Sequence, residues 1–465
     1  MSQPQRIEPI EADQQPRRDR AVESTIVVLG QVFGAPFERT FDISLWDGTV
    51  SRGTADPRAD FSLDIRRRGT LRRMLLPPSE LSIVESFISG DLDVDGNLES
   101  AMGLGDAVGN RIQSLGGIAR LIPRVLALPR DDDKPPLSES RYARSLRLLT
   151  PTRRKSTEPE IQFHYDVGND FYELWLDPSM LYTCAYYRKE SDDLATAQIN
   201  KLNHICRKLR LSPGERLLDI GCGWGGLVMH AVEHYGVDAT GITLSAAQSD
   251  YAQQRIAERG LGDRCRVQMM DFRDLPVNAR FDKISSVGVT EHVPENKQPA
   301  YFACVFQALE PAGLFLNHCE VSTRAARQTN RFGERFGRWL WKRDQFIDKY
   351  VFPDAKLVPL ASVLGSAEAA GFEVRDVESL REHYVMTLRA WSRGLEKRKI
   401  DAIKLVGERT YRVWRLYMSA GAYSFRNAGI NIVQTLLSKP APGGRAGIPL
   451  TRDDLYDSNH ARGIG

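Results

Sequence analysis

The sequence predicts a doubly wound α/β fold with a small N-terminal α+β domain, and three features support this prediction. In the second half of the chain, apolar strand-like segments alternate with amphipathic helical segments, as in a parallel sheet covered by helices. One of these strands runs into the glycine-rich turn of residues 221–226, and a helix follows directly. Residues 24–110 instead carry short strand-like segments between Gly, Pro and Asp turns.

The alternation gives specific boundaries within the larger domain, which we place at residues 161–440. Hydrophobic periodicity predicts strands over residues 217–220, 239–244, 265–270, 281–288 and 313–319, and helices over residues 226–235, 246–258 and 297–309. In doubly wound sheets, ligands bind beyond the carboxyl ends of the strands. The predicted site therefore includes residues 219–223, 243–248, 271–272 and 290–292, together with His318 at the end of the fifth strand.

The rest of the chain divides into four further segments. Residues 1–23 are polar and rich in Gln, Pro and Arg, which predicts a disordered tail, and residues 441–465 form a C-terminal tail. Within the domain of residues 24–110 we expect strands at 25–29, 41–46 and 61–65, and a helical part that contains residues 82–96. Residues 111–160 form a basic, amphipathic linker.

The linker interleaves apolar residues with arginines, notably over residues 115–130. Such a segment can seat on the surface of an anionic phospholipid bilayer, where each basic group contributes about 1 kcal/mol. The alternative is a solvated linker helix that packs on its neighbour, since Pro123 and Pro129 interrupt any long helix.

The composition bounds the class of protein. The 465 residues are 26% charged and 42% hydrophobic with a net charge of +3, which is typical of a globular protein and too little charge to argue for a nucleic-acid partner. The sequence shows neither an apolar run long enough to cross a bilayer nor a signal-peptide pattern, so we expect a cytoplasmic protein. The six cysteines are scattered, and neither a metal site nor a disulfide framework is predicted.

The glycine turn is compatible with two classes of cofactor. Gly221, Gly223 and Gly226 fit the G-x-G-x-x-G fingerprint of dinucleotide-binding folds. NAD binding also calls for an acid at the end of the next strand, whereas this strand ends in Thr243 and Ser245. The pattern strand-Asp-x-Gly-x-Gly-x-Gly instead resembles motif I of the S-adenosylmethionine-dependent methyltransferases. A plain tight turn without a ligand is the remaining alternative.

Two polar side chains at strand ends are candidates for chemistry. Glu291 follows one predicted strand and His318 ends the next, so both face the same crevice. The alternatives are a helix cap for Glu291 and a packed, satisfied side chain for His318. Two aromatic-rich segments, residues 164–172 and 181–187, suit a lid over the cofactor and an apolar path for a substrate. The alternative for these segments is an ordinary aromatic core.

Six segments, taken in order, resemble the cyclopropane-fatty-acyl-phospholipid synthase family, whose methyl donor is S-adenosylmethionine. They are HYDVGND (164–170), YTCAYY (182–187), LLDIGCGWGGL (217–227), GITLSAAQ (241–248), SVGVTEHV (286–293) and HYVMTLRAW (383–391). The mycolic-acid cyclopropane synthases are similar to the chain only in this half. GDLDVDG (90–96) looks like the end of the N-terminal domain of the phospholipid-acting members. The resemblance implies a class I, Rossmann-like methyltransferase domain and an N-terminal domain of lipid-binding type.

The resemblance also implies two sets of site residues. The residues expected to hold a bicarbonate ion are Cys184 (through its N–H), Glu291, His318 and Tyr384, with the backbone carbonyl of Glu320 as a further contact. The residues expected at the S-adenosylmethionine are Tyr182, Thr183, Asp219, Gly221, Gly223, Thr243, Gln248, Asp271 and Phe272. Two positions depart from the family pattern, since Glu320 stands where an apolar residue is usual and Thr290 where the phospholipid enzymes tend to carry Phe.

The reaction implied by the resemblance is methyl transfer from S-adenosylmethionine to a cis double bond of a phospholipid acyl chain, with bicarbonate as the base and a cyclopropane as the product. Thr290 and Glu320 leave open a methyl- or methylene-branched product, and a lipid-binding protein without turnover is a further alternative. Nucleic-acid methylation calls for an amide- or Pro-rich motif where Thr290, Glu291 and His292 stand. We expect a peripheral enzyme at the inner membrane face, and a homodimer suits docking on a bilayer.

Overall fold

The chain forms two compact units. The computed structural model describes residues 19–76, 79–112, 115–130, 167–323, 345–351 and 357–456. One unit comprises Met1–Asn97 and Leu104–Pro135, and the other comprises Leu98–Gly103 and Pro136–Gly465. Residues 1–18 of the predicted tail, residues 131–160 of the predicted linker and residues 457–465 of the predicted C-terminal tail lie outside the described residues.

The first unit is built on a four-stranded sheet in the order β2-β1-β3-β4. The strands are β1 (Ile43–Leu45), β2 (Val50–Ser51), β3 (Phe61–Ile65) and β4 (Leu92–Gly96), and the helices are α1 (Arg20–Phe33), α2 (Thr70–Leu75) and α3 (Glu80–Ile88). Helix α4 (Leu98–Ile112) follows, and its first residues belong to the second unit, whereas α5 (Leu115–Leu126) belongs to the first. Inward-facing Ile43, Leu63 and Ile65 form part of the core.

Two predictions for this unit are wrong. Residues 25–29, predicted as a strand, lie in helix α1, whose buried residues are Val22, Thr25, Val28, Leu29 and Val32. That spacing is a helical stripe, so burial of one helix face overrides the strand preference of the β-branched run. Residues 82–96, predicted as helical, divide after Ile88: Gly90 adopts a φ of +79°, and strand β4 follows.

The second unit contains a seven-stranded sheet in the order β10-β11-β9-β8-β5-β6-β7. Its strands are β5 (Arg216–Ile220), β6 (Asp238–Thr243), β7 (Cys265–Met269), β8 (Phe281–Val287), β9 (Leu309–Ser322), β10 (Glu373–Ser379) and β11 (Ile430–Ser438). Strands β5 to β9 pair in parallel, and β11 lies antiparallel between β9 and β10. The doubly wound prediction and its strands are confirmed, while β10 and β11 are additions that the periodicity does not predict.

Helices cover both faces of this sheet. The predicted helices are confirmed as α8 (Gly226–Tyr235), α9 (Ala246–Glu258) and α10 (Gln298–Ala308). The further helices are α6 (Asn169–Glu173), α7 (Leu194–Lys208), α11 (Gln345–Tyr350), α12 (Leu360–Ala369), α13 (Arg381–Lys397), α14 (Lys399–Arg426, kinked at Gly407) and α15 (Asp453–Tyr456). An aromatic cluster formed largely by α6, α13 and α14 also includes Cys184 and Trp224, so it reaches the glycine turn. No helix within the described ranges is both long and apolar enough to cross a membrane.

Because α1 buries one face, substitutions on its two faces should affect stability differently. Leu29 is 1% exposed and Val27 is 50% exposed. Replacing Leu29 by Ala leaves a cavity and should cost about 2–5 kcal/mol in the unfolding free energy of the first unit. Val27→Ala is the matched control and should leave it nearly unchanged. Differential scanning calorimetry of the full chain measures both changes, and equal transition temperatures for the two variants would contradict the packing described.

Candidate active site

The glycine turn opens a space at the carboxyl end of β5. Gly221, Gly223 and Gly225 have φ values of +74°, +56° and +80°, a region that only glycine adopts without strain. A Cβ atom at Gly221 would lie 2.3 Å from Cγ2 of Val289, whereas one at Gly223 would meet nothing within 4 Å. The backbone therefore packs closely at Gly221 and faces open space at Gly223, where a ligand can approach the N–H groups at the start of α8.

Asp219 lies two residues before this turn and is buried. Its Oδ1 accepts a hydrogen bond of 2.7 Å from the Ser285 hydroxyl on β8. Burial raises the pKa of Asp219 to about 7, although the Ser285 hydrogen bond and the charge of Lys201 oppose the increase. The structure thus places this acid against the neighbouring strand, where it ties β5 to β8 below the turn.

The ends of β6 and β7 complete the predicted cofactor positions. The Thr243 hydroxyl donates to Oε1 of Gln248 over 2.8 Å, and both side chains are buried. Asp271 accepts hydrogen bonds from the guanidinium of Arg273, with distances of 2.6 and 2.8 Å. Burial would raise the pKa of Asp271, but Arg273 reverses this effect and the pKa is lowered. The ring of Phe272 packs edge-on against Tyr301.

A buried ammonium group holds the segment that carries Tyr182, Thr183 and Cys184. Nζ of Lys201 donates to the Thr183 hydroxyl over 2.7 Å. Gln198, also on α7, donates to the carbonyl oxygens of Leu181 (3.1 Å) and Thr183 (3.0 Å). Burial lowers the pKa of Lys201 to about 8, against the opposing charges of Asp177 and Asp219.

The sequence analysis missed Gln198 and Lys201. They occur three residues apart on the face of α7 that also carries buried Leu202 and Ile205. A polar residue on a buried helical face needs a partner inside the protein, and this signal is present in the sequence.

The five predicted ion-site residues converge from four parts of the chain. His318 and Glu320 lie two positions apart on β9 and so face the same side of the sheet. The negative charge of Glu320 acts on Glu291, Cys184 and Tyr384, as their raised pKa values show after the larger effect of burial. Burial raises the pKa of Glu320 to about 7, while the Tyr384 hydroxyl, from α13, hydrogen-bonds to the Glu320 carboxylate and favours its charged form.

His318 presents a buried donor with no partner. Its Nδ1 lies 3.3 Å from Nε2 of Gln434, and its Nε2 has no hydrogen-bond partner within the described part of the chain. Burial, with the charges of Lys201 and Lys208, lowers the pKa of His318 to about 3, so the ring is neutral. If the Gln434 amide donates to Nδ1, as its orientation here implies, the proton of the ring sits on Nε2.

Glu291 contributes a buried carboxylate oxygen without a partner. Its Oε2 has no hydrogen-bond partner among the described residues. Burial and the nearby charge of Glu320 raise the pKa of Glu291, while the backbone N–H groups of Glu291 and Glu320 oppose the increase. Because burial raises the pKa values of both Glu291 and Glu320, the pair retains a proton near neutral pH.

Aromatic rings form an apolar wall beside this site. The ring of Tyr182 lies 5.0 Å from that of Trp391 and 5.4 Å from that of Trp175. Nε1 of Trp224, in the glycine turn, donates to Asn169 over 2.8 Å. Residues 167–172 of the predicted lid therefore pack against the turn, while residues 164–166 lie outside the described residues.

The strand order, the glycine turn at the end of β5 and the polar cluster beyond β8 and β9 define a class I S-adenosylmethionine-dependent methyltransferase. Within this class, residues 152–435 match the Mycolic acid cyclopropane synthetase family, and the chain belongs to that family. The predicted family and the predicted class of enzyme are therefore confirmed.

Individual relatives agree with this assignment. A "Probable fatty acid methyltransferase" of Pseudomonas putida is 38% identical over 418 residues, which cover 89% of this chain and 95% of the relative. The "Cyclopropane-fatty-acyl-phospholipid synthase" of Escherichia coli K12 is 37% identical over 281 residues, or 60% of this chain and 68% of the relative. The crystal structure of mycolic acid cyclopropane synthase CmaA1 complexed with SAH and CTAB is 34% identical and covers 61% of this chain and 99% of its own, with a TM-score of 0.56.

The close packing at Gly221 predicts that a larger residue at this position weakens cofactor binding. Gly221→Ala places a Cβ against Val289 and adds about 1–2 kcal/mol of backbone strain. We expect at least a tenfold loss of S-adenosylhomocysteine affinity by isothermal titration calorimetry. Gly214→Ala is the control, because Gly214 also has a positive φ (+82°) but a Cβ there meets nothing within 4 Å. Equal losses in both variants would show that strain, not the contact at Val289, is responsible.

Proposed function

We propose that the enzyme transfers a methyl group from S-adenosylmethionine to the cis double bond of an unsaturated phospholipid acyl chain and forms a cyclopropane. The observation that carries this proposal is the pair of unpartnered buried atoms, His318 Nε2 and Glu291 Oε2, beside an aromatic wall. The name of the Escherichia coli relative supports the same substrate.

The reaction needs an apolar, dry site. An isolated alkene is a weak nucleophile, so it attacks only a strong electrophile such as a sulfonium methyl group. This attack forms one C–C bond, breaks the C–S bond and leaves a carbocation on the acyl chain. Water would capture that cation, and the rings of Tyr182, Trp175 and Trp391 exclude it. The cation then loses a proton from the new methyl group, and the released electron pair closes the ring.

Bicarbonate fits the polar cluster in its chemistry and would supply the base for this proton. Nε2 of His318 offers it a donor, and Glu291 offers an acceptor or, when protonated, a second donor. Lys201 acts electrostatically on both Cys184 and His318, so a buried positive charge favours an anion between them. The Glu320 carboxylate opposes such an anion, and its protonation is therefore needed for the site to bind one.

We also propose a peripheral position at the inner membrane face, as a homodimer. In the first unit, Ile122 and Leu126 of helix α5 are 48% and 51% exposed. Arg124 lies between them in the sequence, and this pattern suits the surface of an anionic bilayer. Size-exclusion chromatography with light scattering tests the dimer.

The direct test is product identification. Purified protein is incubated with oleoyl phospholipid and labelled S-adenosylmethionine, and the acyl chains are analysed by NMR for ring protons. Labelled chains with ring protons support the proposal. Bound phospholipid without any label would favour the lipid-binding alternative and reject catalysis.

Glu291 should be required for turnover and not for cofactor binding. Glu291→Gln removes the ionisable carboxyl but keeps its shape, and we expect kcat to fall about a hundredfold or more. Affinity for S-adenosylhomocysteine should stay within about twofold, because the assigned role of Glu291 lies at the methyl acceptor. Glu295→Gln, an exposed neighbour in the same loop, is the control. Full activity of Glu291→Gln would refute its role.

A second candidate keeps the methyl transfer and changes the product. Glu320 adds a carboxylate where the family is usually apolar, and it lies close enough to Glu291 to raise its pKa. A base in a different place removes a different proton: loss of a chain proton beside the cationic carbon gives a methyl-branched alkene. A methylene branch forms if a 1,2-hydride shift first moves the charge to the methylated carbon and a methyl proton is then lost. The name of the Pseudomonas putida relative agrees with this alternative.

Glu320→Leu distinguishes the two products. If the Glu320 carboxylate directs proton loss, the variant should shift the ratio of branched to ring product towards the ring, as measured by NMR of the acyl chains. Glu320→Gln keeps the shape without the charge and should shift the ratio in the same direction. An unchanged ratio in both variants would exclude Glu320 as the determinant.

A further inference from the structure

The turn that joins α13 to α14 carries an exposed apolar pair on a basic surface. We define the hairpin tip as residues 393–409, the end of α13 and the first turns of α14 as far as its kink. Ile400 is 70% exposed and Leu405 is 49% exposed. Ile400 and Leu405 lie five residues apart, so the two exposed side chains stand within about one and a half turns of the same helical segment.

The hairpin tip carries an excess of positive charge. Each of its acids is already paired with an arginine: Glu396 with Arg415 (2.8 Å), Asp401 with Arg398 (2.8 Å) and Glu408 with Arg412 (3.1 Å). Lys397, Lys399 and Lys404 lie within 4 Å of no carboxylate of the described residues, although Nζ of Lys399 is 6.0 Å from the centroid of the Tyr411 ring. The free charge beside Ile400 and Leu405 is therefore positive.

The inner side of the same segment belongs to the active-site wall. Leu395, Ala402 and Tyr411 are buried in the apolar cluster that also contains Trp391 and Tyr384. Tyr384 lies about 20 Å along α13 from the end of that helix, at 1.5 Å per residue. One apolar cluster thus extends from residues on the inner side of the tip to Tyr384 at the candidate ion site.

A kink at Gly407 separates the start of α14 from the rest of that helix. Its φ of +81° and ψ of 157° interrupt α14, so residues 399–406 form a short helix of separate orientation. Ile403 and Val406 of that short helix pack inward, while Ile400, Lys404 and Leu405 face outward. The segment is therefore amphipathic, as helices that lie at an interface between water and lipid are.

We propose that the hairpin tip docks on the surface of an anionic phospholipid bilayer, with Ile400 and Leu405 inserted and the lysines at the phosphate groups. The occupant is assigned from the charge, since a surface that offers apolar side chains ringed by unpaired lysines matches anionic head groups above acyl chains. An acyl chain drawn from the bilayer at this point meets the apolar cluster that contains Tyr384. This last step rests on the proposed phospholipid substrate, whereas the docking does not.

Vesicle co-sedimentation tests the docking on the full chain without S-adenosylmethionine, so its outcome is independent of turnover. Ile400→Asp with Leu405→Asp should weaken binding to vesicles of phosphatidylglycerol and phosphatidylethanolamine by at least about tenfold. The matched control is Val277→Asp with Leu450→Asp, which changes the same charge at two other highly exposed apolar positions (93% and 104%) and should bind as the parent does.

The lysines provide an independent test. Replacing Lys397, Lys399 and Lys404 by Gln should weaken binding by about fivefold per lysine at low salt and reduce its salt dependence. Binding to vesicles of phosphatidylcholine alone should be little changed by the same replacements. The proposal is overturned if both sets of variants bind anionic vesicles like the parent. It is also overturned if the aspartate pair converts a dimer to a monomer without affecting vesicle binding, which would make the tip a subunit interface.

Discussion

The ammonium group of Lys201 connects the parts of the active site. A lysine that is 1% exposed must find partners inside the protein, because desolvating an unpaired charge is costly. It finds the hydroxyl of Thr183 at 2.7 Å, and the charges of Asp177 and Asp219 favour its protonated form. Lys201 thereby ties helix α7 to the segment before it by a hydrogen bond, and its charge acts electrostatically on Asp219 in the strand that carries the glycine turn.

The same positive charge shapes the chemistry of the polar cluster. It lowers the pKa of His318, in addition to the larger effect of burial, and so helps to keep that ring neutral. A neutral imidazole can donate from one nitrogen while the other accepts, whereas an imidazolium ring beside a carbocation would repel it. Negative charge is supplied instead by Glu291 and Glu320, which remain partly protonated because burial raises both pKa values and the charge of Glu320 raises that of Glu291 further. The site therefore combines hydrogen-bonding capacity with little net charge, which would suit the carbocation of the proposed reaction.

The sequence was most informative where backbone geometry depends on local residue type. The glycines of residues 221–226 and the alternation from β5 to β9 predict the sheet and the cofactor position, because positive φ values and buried parallel strands leave strong local signals. Helix α1 was misjudged because its β-branched run favours a strand locally and only tertiary burial selects the helix. The roles of Gln198 and Lys201 depend on a loop that returns to α7, and no local pattern specifies that return. The contact between Glu320 and Glu291 likewise depends on the register of the sheet and the loop after β8.

One physical requirement links the active site to the surface of the second unit. The carbocation of the proposed reaction would have to be shielded from water, and α13 and α14 supply an apolar wall with Trp391, Trp414 and Tyr384. A wall of this kind also separates the site from any substrate that starts in a bilayer. For the proposed phospholipid substrate, the entrance that we propose is the place where the apolar cluster comes to the surface. At the hairpin tip, the helices that exclude water end in exposed Ile400 and Leu405. A site closed to water and open to lipid requires the same helices to face both environments, with aromatic residues inward and aliphatic and basic residues outward at the tip.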